Sequence, residues 1–349
     1  MTIDTSNYRL LGTTGLKVSP LTLGAMMFGK IGNPDHDDSV RIIHRALDAG
    51  INIIDTADVY SRGESEEIVG KALKGRRDDV IVATKVHGAM SDADPNQQGN
   101  SRRWVIREVE NSLRRLGTDY IDLYQLHRPR PETDIDDTLS ALSDLVHQGK
   151  VRYIGTTTFL PSQVVEAQWV AERRHRERPV TEQAPYSILV REVERDLLPT
   201  AQKYGLGVLP WSPLAGGWLS GRYRRGEAST HESSRLQRQP ARHDPSLPEN
   251  AVKLEKVHQL QELADQAGVS LVHLALAFVL EHPAVTSAIV GPRTMEHLES
   301  QLDVVKVSLA KDVLDRIDEI VPPGTTINEA DRGYAPPALA DVALRRRTA

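Results

Sequence analysis

VIVATKVHGAMSDADPNQQGNSRRWVIREVENSLRRLGTDYIDLYQLH, residues 80–127, contains two short apolar runs on either side of an amphipathic segment. The runs at residues 80–84 and 121–126 have the composition of buried strands, and residues 102–116 have helical periodicity. A strand, a helix and a second strand in this order predict two parallel strands joined by a right-handed crossover.

The same alternation continues along almost the whole chain. Further strand-like runs lie at residues 21–23, 53–55, 151–155, 180–183, 207–211 and 285–290. Helical patterns lie between them, at residues 39–49, 64–73, 136–147 and 161–174. Eight such units without a Gly-, Ser- or Pro-rich break predict an α/β fold, a single (β/α)8 TIM barrel. A doubly wound sheet with an appended domain is the alternative.

Residues before the first barrel strand predict an N-terminal β-hairpin. Residues 8–11 and 16–19 flank the turn sequence GTTG at residues 12–15. We expect this hairpin to close the floor of the barrel.

Two later segments also lie outside the repeat. Residues 221–250, after strand 7, are rich in Arg, Ser, His and Pro, and we expect a long mobile loop there. Residues 322–349 form a Pro- and Ala-rich tail with three arginines at residues 345–347, which is typical of solvated surface. We therefore predict one domain over residues 1–349, with a core of about residues 8–320.

Composition excludes several classes of protein. The chain has 349 residues, 39% hydrophobic and 26% charged, with a net charge of −5, which indicates a globular protein that binds neither nucleic acid nor anionic membranes. Its longest apolar run, residues 271–280, is too short to cross a bilayer, and the N-terminus has no export signal. We expect a cytoplasmic location. Cysteine is absent and the histidines lack metal-site spacing, so no metal site is expected.

Ionisable residues stand where three consecutive strands end. The second barrel strand ends at Asp55, with Tyr60 just beyond it, the third ends at Lys85, and the fourth at His127. No Gly-x-Gly-x-x-Gly, phosphate-binding P-loop or Gly-x-Ser-x-Gly motif is present. Because the carboxyl ends of barrel strands meet at one mouth, these four side chains predict an active site.

The chemistry of this set follows from the pKa of a phenol. The pKa of free tyrosine is about 10, and a neighbouring ammonium favours the phenolate and lowers that pKa. A carboxylate beside the lysine keeps it charged and oriented, while His127 can hydrogen-bond a substrate oxygen. Such a site suits proton donation during carbonyl reduction by hydride. Since no side chain carries a hydride, a nicotinamide cofactor is implied.

Seven segments carry a resemblance to a known family. They are DTADVYSRGESEEIVGKAL, VIVATK, DYIDLYQLHRP, GKVRYIGTTTF, EQAPYS, GVLPWSPLAGGWLSGRY and SAIVGPRTMEHLESQL. In sequence and order they resemble the aldo-keto reductase superfamily over nearly the whole chain, and most closely its bacterial, actinomycete-type branch and the related sugar-keto reductases. The resemblance implies that Tyr60 is the general acid/base and that Lys85 depresses its pKa. It further implies that Asp55 pairs with Lys85 and that His127 orients the carbonyl.

The resemblance also implies an NADPH/NADP+ site. Its expected residues are Gly24, Ala25, Met26, Asp55, Thr157, Thr158, Gln183, Trp211, Ser212, Leu214, Gly216, Arg222, Gly291, Arg293, His297, Ser300 and Gln301. Trp211 would stack on the nicotinamide, Gln183 would hold its carboxamide, and Arg293 would contact the 2′-phosphate. The pair Thr157-Thr158 departs from the family, where Ser-Asn is common, so the two-sided grip of an amide is lost.

Structural roles remain open for several of these residues. Asp55 and Lys85 could form an ordinary interstrand ion pair, and Trp211 and Gln183 could simply pack at the barrel rim. Phe28, His87 and Trp218 are candidates for the substrate pocket, although packing is the more common role for such residues.

Two functional classes also remain open. The preferred partner is a small-molecule carbonyl compound: an aldehyde, a ketone or a keto-sugar. A non-catalytic nicotinamide-binding sensor or regulatory subunit, like a channel β-subunit, is the alternative, because such relatives can keep all four reactive residues. A barrel isomerase or aldolase is disfavoured by the dinucleotide segments. The physiological substrate and the oligomeric state are not encoded in any readable pattern.

Overall fold

The computed structural model describes residues 2–224 and 234–347. An antiparallel hairpin of β1 (Arg9–Leu10) and β2 (Lys17–Val18) comes first. Eight further strands form one parallel sheet: β3 (Leu21–Gly24), β4 (Ile53–Asp55), β5 (Ile81–Val86), β6 (Ile121–Leu126), β7 (Val151–Thr157), β8 (Thr181–Gln183), β9 (Gly207–Val208) and β10 (Ala288–Val290). Neighbours in the sheet are consecutive in the chain, apart from β10, which pairs with β3.

The sheet closes on itself between β9 and β10. Val208 forms a parallel bridge with Val285, and the Thr286 amide donates to the Val208 carbonyl at 2.9 Å. The Ile289 amide donates to the Pro210 carbonyl, also at 2.9 Å. The predicted (β/α)8 barrel with an N-terminal hairpin is therefore confirmed, and the open sheet considered as its alternative is excluded.

Helices surround the barrel. They are α1 (His36–Asp48), α2 (Glu64–Ala72), α3 (Arg102–Leu116), α4 (Ile135–His147), α5 (Pro161–Arg174), α6 (Leu197–Tyr204), α7 (Ser234–Arg238), α8 (Pro240–His243), α9 (Ala251–Gln266), α10 (Leu271–Glu281), α11 (Met295–Leu302), α12 (Lys311–Ile320) and α13 (Pro337–Ala340). Helices α1 to α6 pack on one another in sequence, α11 packs against α10 and α1, and α9 packs against α12. No single helix in the described ranges has the length and hydropathy of a membrane span; only Pro240–Gln266 and Leu271–Glu281 together, a pair bent by 93°, reach them.

Local sequence sets the helix limits, as α3 shows. The Ser101 hydroxyl accepts the Trp104 amide at the start of the helix. Gly117 ends it in the left-handed region at φ 63°, where a glycine has no steric penalty. Between them, the buried side chains of Val105, Val109 and Leu113 follow helical spacing and face the barrel. The predicted limits, residues 102–116, match the structure.

The hairpin lies under the barrel. Leu11 and Val18, both fully buried, belong to a cluster with the inward-facing barrel residues Ile53, Ala83 and Leu123. The turn approaches the amino end of β9 so closely that a Cβ on Gly12 would lie 2.7 Å from the Gly205 carbonyl oxygen. Only glycine fits there, and the hairpin consequently closes the floor.

The later segments contain more structure than their composition suggests. Residues 225–233 of the predicted loop lie outside the described residues. Residues 234–250 include α7, α8 and a 3-10 turn at Pro248–Asn250. In the tail, residues 345–347 are exposed, whereas Asp331 is buried and bonded to the segment around α8.

Asp331 joins this part of the tail to the barrel through a buried ion pair. Its carboxylate lies 2.5 Å from the ammonium of Lys253, which is fully buried, and 3.0 Å from Nε of Arg242. Burial lowers the pKa of Lys253, and Asp331 opposes that shift. The carboxylate therefore stabilises a cation that has little water around it.

Replacing Asp331 with alanine should destabilise the fold strongly. The Lys253 ammonium would remain buried without its carboxylate, and breaking one partner of such a pair costs about 3–5 kcal/mol. The free energy of unfolding in urea measures the loss. The matched control is Glu319→Ala, which removes an exposed pair with Arg316 and should cost below about 1 kcal/mol. Equal losses in the two variants would contradict a structural role for the Asp331 pair.

Candidate active site

Three adjacent barrel strands bring the predicted reactive side chains together at the carboxyl ends. Asp55 is the last residue of β4, Lys85 lies near the end of β5, and His127 directly follows β6. The Lys85 ammonium lies 2.5 Å from Asp55 Oδ1, 2.7 Å from the Thr56 carbonyl oxygen and 3.4 Å from Tyr60 Oη. Asp55 and Lys85 are almost fully buried, whereas Tyr60 is half-buried.

The Lys85 ammonium is saturated by these contacts. A lysine ammonium has three N–H donors, and Asp55, Thr56 and Tyr60 provide one acceptor each. Burial by itself would lower the pKa of Lys85, but the nearby Asp55 carboxylate and Tyr60 phenol outweigh it and raise the pKa above its usual value. The ammonium therefore stays charged, and the phenol oxygen of Tyr60 accepts from it.

The second carboxylate oxygen of Asp55 is also fixed. It accepts from Gln183 Nε2 at 2.5 Å and from Gln125 Nε2 at 3.2 Å. Gln183 is one of the predicted cofactor residues. The Asp55 carboxylate therefore contacts both a predicted cofactor residue and the reactive Lys85. Gln125, by contrast, was missed in the sequence because nothing local marks a glutamine inside a strand.

His127 lies against Tyr60 with the two rings in an edge-to-face arrangement and their centroids 5.6 Å apart. Burial holds the pKa of His127 well below its ordinary value, and the cations Lys85 and Arg128 act in the same direction. The imidazole is therefore neutral near pH 7 and can donate one hydrogen bond to a substrate oxygen.

Asp58 connects the loops that carry Tyr60 and Lys85. It is fully buried, accepts the Val59 amide at 2.6 Å and the His87 amide at 3.4 Å, and its own amide donates to the Lys85 carbonyl. Burial raises the pKa of its carboxyl well above the usual range. Asp58 is thus a positioning residue that sequence reasoning missed, although a carboxylate inside DTADVY was a visible signal.

The nicotinamide end of the predicted cofactor site has unpaired polar atoms that fit an amide. Thr157 and Thr158 are buried at the end of β7, and Thr158 has a left-handed φ of 59°. The Thr158 hydroxyl and the Trp211 indole N–H are buried without a partner among the described residues. A ligand with both donors and acceptors would satisfy them.

The tail borders this same end. Gly333 lies so near Trp211 that a Cβ there would be 2.6 Å from Cζ2 of the indole and 3.3 Å from the Thr158 methyl. This approach was not predictable from local sequence, because more than a hundred residues separate Gly333 from Trp211 and Thr158.

The phosphate end of the predicted cofactor site contains several cations. Burial lowers the pKa of His297 at the start of α11, and the charges of Arg293 and Arg222 lower it further, while the Glu296 carboxylate opposes them. Neither arginine has a carboxylate partner within the described ranges. Gln301, one helical turn on, has a buried side-chain oxygen that also lacks a partner there. Such a cluster fits a phosphate group.

The other predicted residues occupy the same rim without forming polar contacts that define a role. Gly24 ends β3, and Ala25 and Met26 follow it. Ser212, Leu214 and Gly216 follow β9, and Gly291 follows β10. The Ser300 hydroxyl donates to the His297 carbonyl at 3.0 Å. Phe28 and Trp218 are core residues, whereas His87 is half-buried and bonds Asn100. No group of three or more potential metal ligands lies together in residues 2–224 and 234–347.

Fold and site together define a barrel oxidoreductase. The model of the aldo/keto reductase family matches residues 20–322, and the chain belongs to that family. It is 40% identical over 334 residues to the uncharacterized oxidoreductase YrpG of Bacillus subtilis, covering 93% of this chain and 98% of that protein. Aldo-keto reductase YhdN of the same organism is 35% identical over 342 residues, which cover 96% of this chain and 99% of that protein. A putative voltage-gated potassium channel subunit beta of Schizosaccharomyces pombe is 35% identical over 90% and 93%. Members of the family generally use NAD(P)H.

Glu182 supports residues 156–159, which contain the threonine pair Thr157-Thr158 of the predicted cofactor site. Its carboxyl oxygens accept from the Thr156 hydroxyl at 2.5 Å and from the Phe159 amide at 3.1 Å. Complete burial raises the pKa of Glu182 to about 8 from an ordinary 4.5. As pH rises through that interval, the unfolded chain loses this proton before the folded chain does, so stability falls.

Glu182→Gln should remove this pH dependence, because glutamine does not titrate. The difference in Tm between the variant and the parent should shift in favour of the variant as pH rises from about 5 to about 8. The exposed Glu166→Gln is the control and should show a constant difference. A constant difference for both variants would show that Glu182 ionises normally in the folded chain.

Proposed function

We propose that the chain is an NADPH-dependent carbonyl reductase, an oxidoreductase in which Tyr60 donates the proton. The observation that carries the proposal is the saturated Lys85 ammonium. Its third donor points to Tyr60 Oη, so the phenol accepts from a cation and its own proton remains available for a substrate oxygen.

Each reactive side chain has its own role in the proposed reaction. Asp55 holds Lys85, Lys85 stabilises negative charge on the Tyr60 oxygen, and the neutral imidazole of His127 donates a hydrogen bond to the substrate oxygen. A reduced nicotinamide, when bound, supplies the hydride. Gln183 and Thr158 would hold its carboxamide, and Trp211 would support its ring.

The cation cluster supports NADPH over NADH. The charges of Arg222 and Arg293 both act on the His297 imidazole, and neither arginine has a carboxylate partner among the described residues. A 2′-phosphate would supply the missing negative charge, and a 2′-hydroxyl would not.

The substrate would be a small aldehyde, ketone or keto-sugar, in keeping with the resemblance to bacterial, actinomycete-type and sugar-keto reductases. Nucleic-acid and membrane partners are not part of the proposal, and we expect the protein to act in the cytoplasm.

A second candidate is a non-catalytic nicotinamide-binding regulatory subunit. The observation that favours it is the 34–35% identity to three relatives named as voltage-gated potassium channel beta subunits, from fission yeast, rice and Arabidopsis thaliana. NADPH oxidation at 340 nm with activated aldehydes separates the two: sustained turnover supports the reductase, and NADPH binding without turnover supports the subunit.

Tyr60→Phe should abolish turnover and leave NADPH binding intact. The change removes the proton donor but keeps the ring that packs on His127, and loss of a general acid typically costs about 10²–10⁴-fold in rate. Steady-state kinetics and quenching of NADPH fluorescence measure the two effects. Tyr120→Phe, which removes an exposed hydroxyl bonded to Asp78, is the control. Near-normal turnover of Tyr60→Phe would refute the proposed role.

Arg293→Ala should weaken NADPH binding selectively. Loss of one charge-assisted contact to the 2′-phosphate should raise the Kd for NADPH about tenfold, and the Kd for NADH should change little. Fluorescence titration with both cofactors measures the ratio, with Arg316→Ala on α12 as the control. Equal effects on both cofactors would count against a 2′-phosphate contact.

A further inference from the structure

Arg128 is a cation at the mouth of the site that the roles above do not use. It follows His127, is half-buried, and its Nη1 donates to the His127 carbonyl at 2.6 Å and to the Thr157 hydroxyl at 3.2 Å. Its Cζ lies 5.7 Å from the ring centroid of Trp211. The guanidinium is therefore held between the reactive side chains and the expected nicotinamide end.

Most of its hydrogen-bonding capacity is unused. A guanidinium has five N–H donors, and no partner for Nε or Nη2 of Arg128 exists among residues 2–224 and 234–347. No carboxylate of those residues lies within ion-pair distance either. Two other arginines of the described residues with little solvent access differ: Arg115 pairs with Glu66 and Glu108, and Arg191 pairs with Glu194 and Asp318.

The surrounding groups do not neutralise this charge. Tyr60, Glu182 and Arg242 are the titratable groups whose charges act on Arg128, besides the two neighbouring imidazoles of His127 and His87. The oxygens of Glu182 accept from Thr156 and Phe159 rather than from Arg128, and burial raises the pKa of Glu182 to about 8, which disfavours its charged form. Arg242 is a second cation, and its own carboxylate partner is Asp331. The Arg128 guanidinium thus has no ion-pair partner among the described residues.

Leaving such a charge unpaired has a free-energy cost that a ligand can remove. Partial burial lowers the pKa of Arg128, which shows that its surroundings disfavour the charge. The planar fork of Nε and Nη2 matches a carboxylate, which can accept two parallel hydrogen bonds. The phosphates of the proposed cofactor would have other cations to contact, Arg222 and Arg293.

We propose that Arg128 binds a carboxylate of the substrate, so that the substrate class is oxo acids and carboxylate-bearing aldehydes. This rests on the proposed reductase function and narrows it. Because Arg128 is adjacent in sequence to His127, the carboxylate would lie a few bonds from the carbonyl that Tyr60 and His127 contact. Arg128 is then the specificity-determining residue of the site.

The test compares acids with their neutral esters on the full chain loaded with NADPH. We expect kcat/KM to be at least about tenfold higher for 3- or 4-carboxybenzaldehyde than for the matching methyl formylbenzoate. Arg128→Met should erase that ratio and Arg128→Lys should restore part of it. Arg130→Met is the matched control, because Arg130 is exposed and pairs with Glu132, and it should keep the parent ratio.

Binding provides a readout that does not need turnover. Calorimetry on the loaded protein should give tighter binding of 3- or 4-(hydroxymethyl)benzoate than of their methyl esters, and Arg128→Met should remove the difference. Equal binding of acids and esters by the parent protein overturns the inference, even if all the aldehydes are reduced. Reduction of none of them overturns the proposed function, and the calorimetric comparison then still decides whether Arg128 binds carboxylates.

Discussion

The buried contact between the Lys85 ammonium and the Asp55 carboxylate holds the site together. Burying two charges is unfavourable unless each is fully bonded, and here every donor of the ammonium and both oxygens of the carboxylate have partners. Those groups lie on the strands β4, β5, β6 and β8 and on the loop that follows β4. The buried ion pair is therefore fully bonded only when these strands are assembled in the barrel. Of the three acceptors around the ammonium, Asp55 and Thr56 are buried and Tyr60 is half-buried, so the phenol is the one open to a ligand.

Several cations of the described residues fall into two groups, those with a carboxylate partner and those without one, and we assign structural roles to the first group and ligand binding to the second. Lys253 and Arg115 have carboxylate partners and connect helices and tail to the barrel. In contrast, Arg128, Arg222 and Arg293 have no carboxylate partner in the part of the chain that the structure describes, and all three border the proposed site. A chain with net charge −5 therefore has a positive region at the proposed site, which suits the anionic cofactor and substrate that we propose.

Barrel topology and the reactive set were predictable from sequence because both depend on local pattern. Strand ends are visible as apolar runs that stop at Asp55, Lys85 or His127, and parallel pairing brings such ends together. Contacts between distant segments were not predictable: the Glu182 carboxyl against residues 156–159 and Gly333 against Trp211 leave no periodic signal. The short helices after β9 were missed since their composition resembles that of a loop.

A double-mutant cycle of Lys85→Met and Tyr60→Phe, read as single-turnover NADPH oxidation with an activated aldehyde, tests the central claim that Lys85 acts through the phenol. If it does, each single variant should lose most of the rate, and the double variant should be scarcely slower than Tyr60→Phe alone. Multiplicative losses, with Lys85→Met still folded and binding NADPH, would show that the ammonium and the phenol act independently, and would contradict the account.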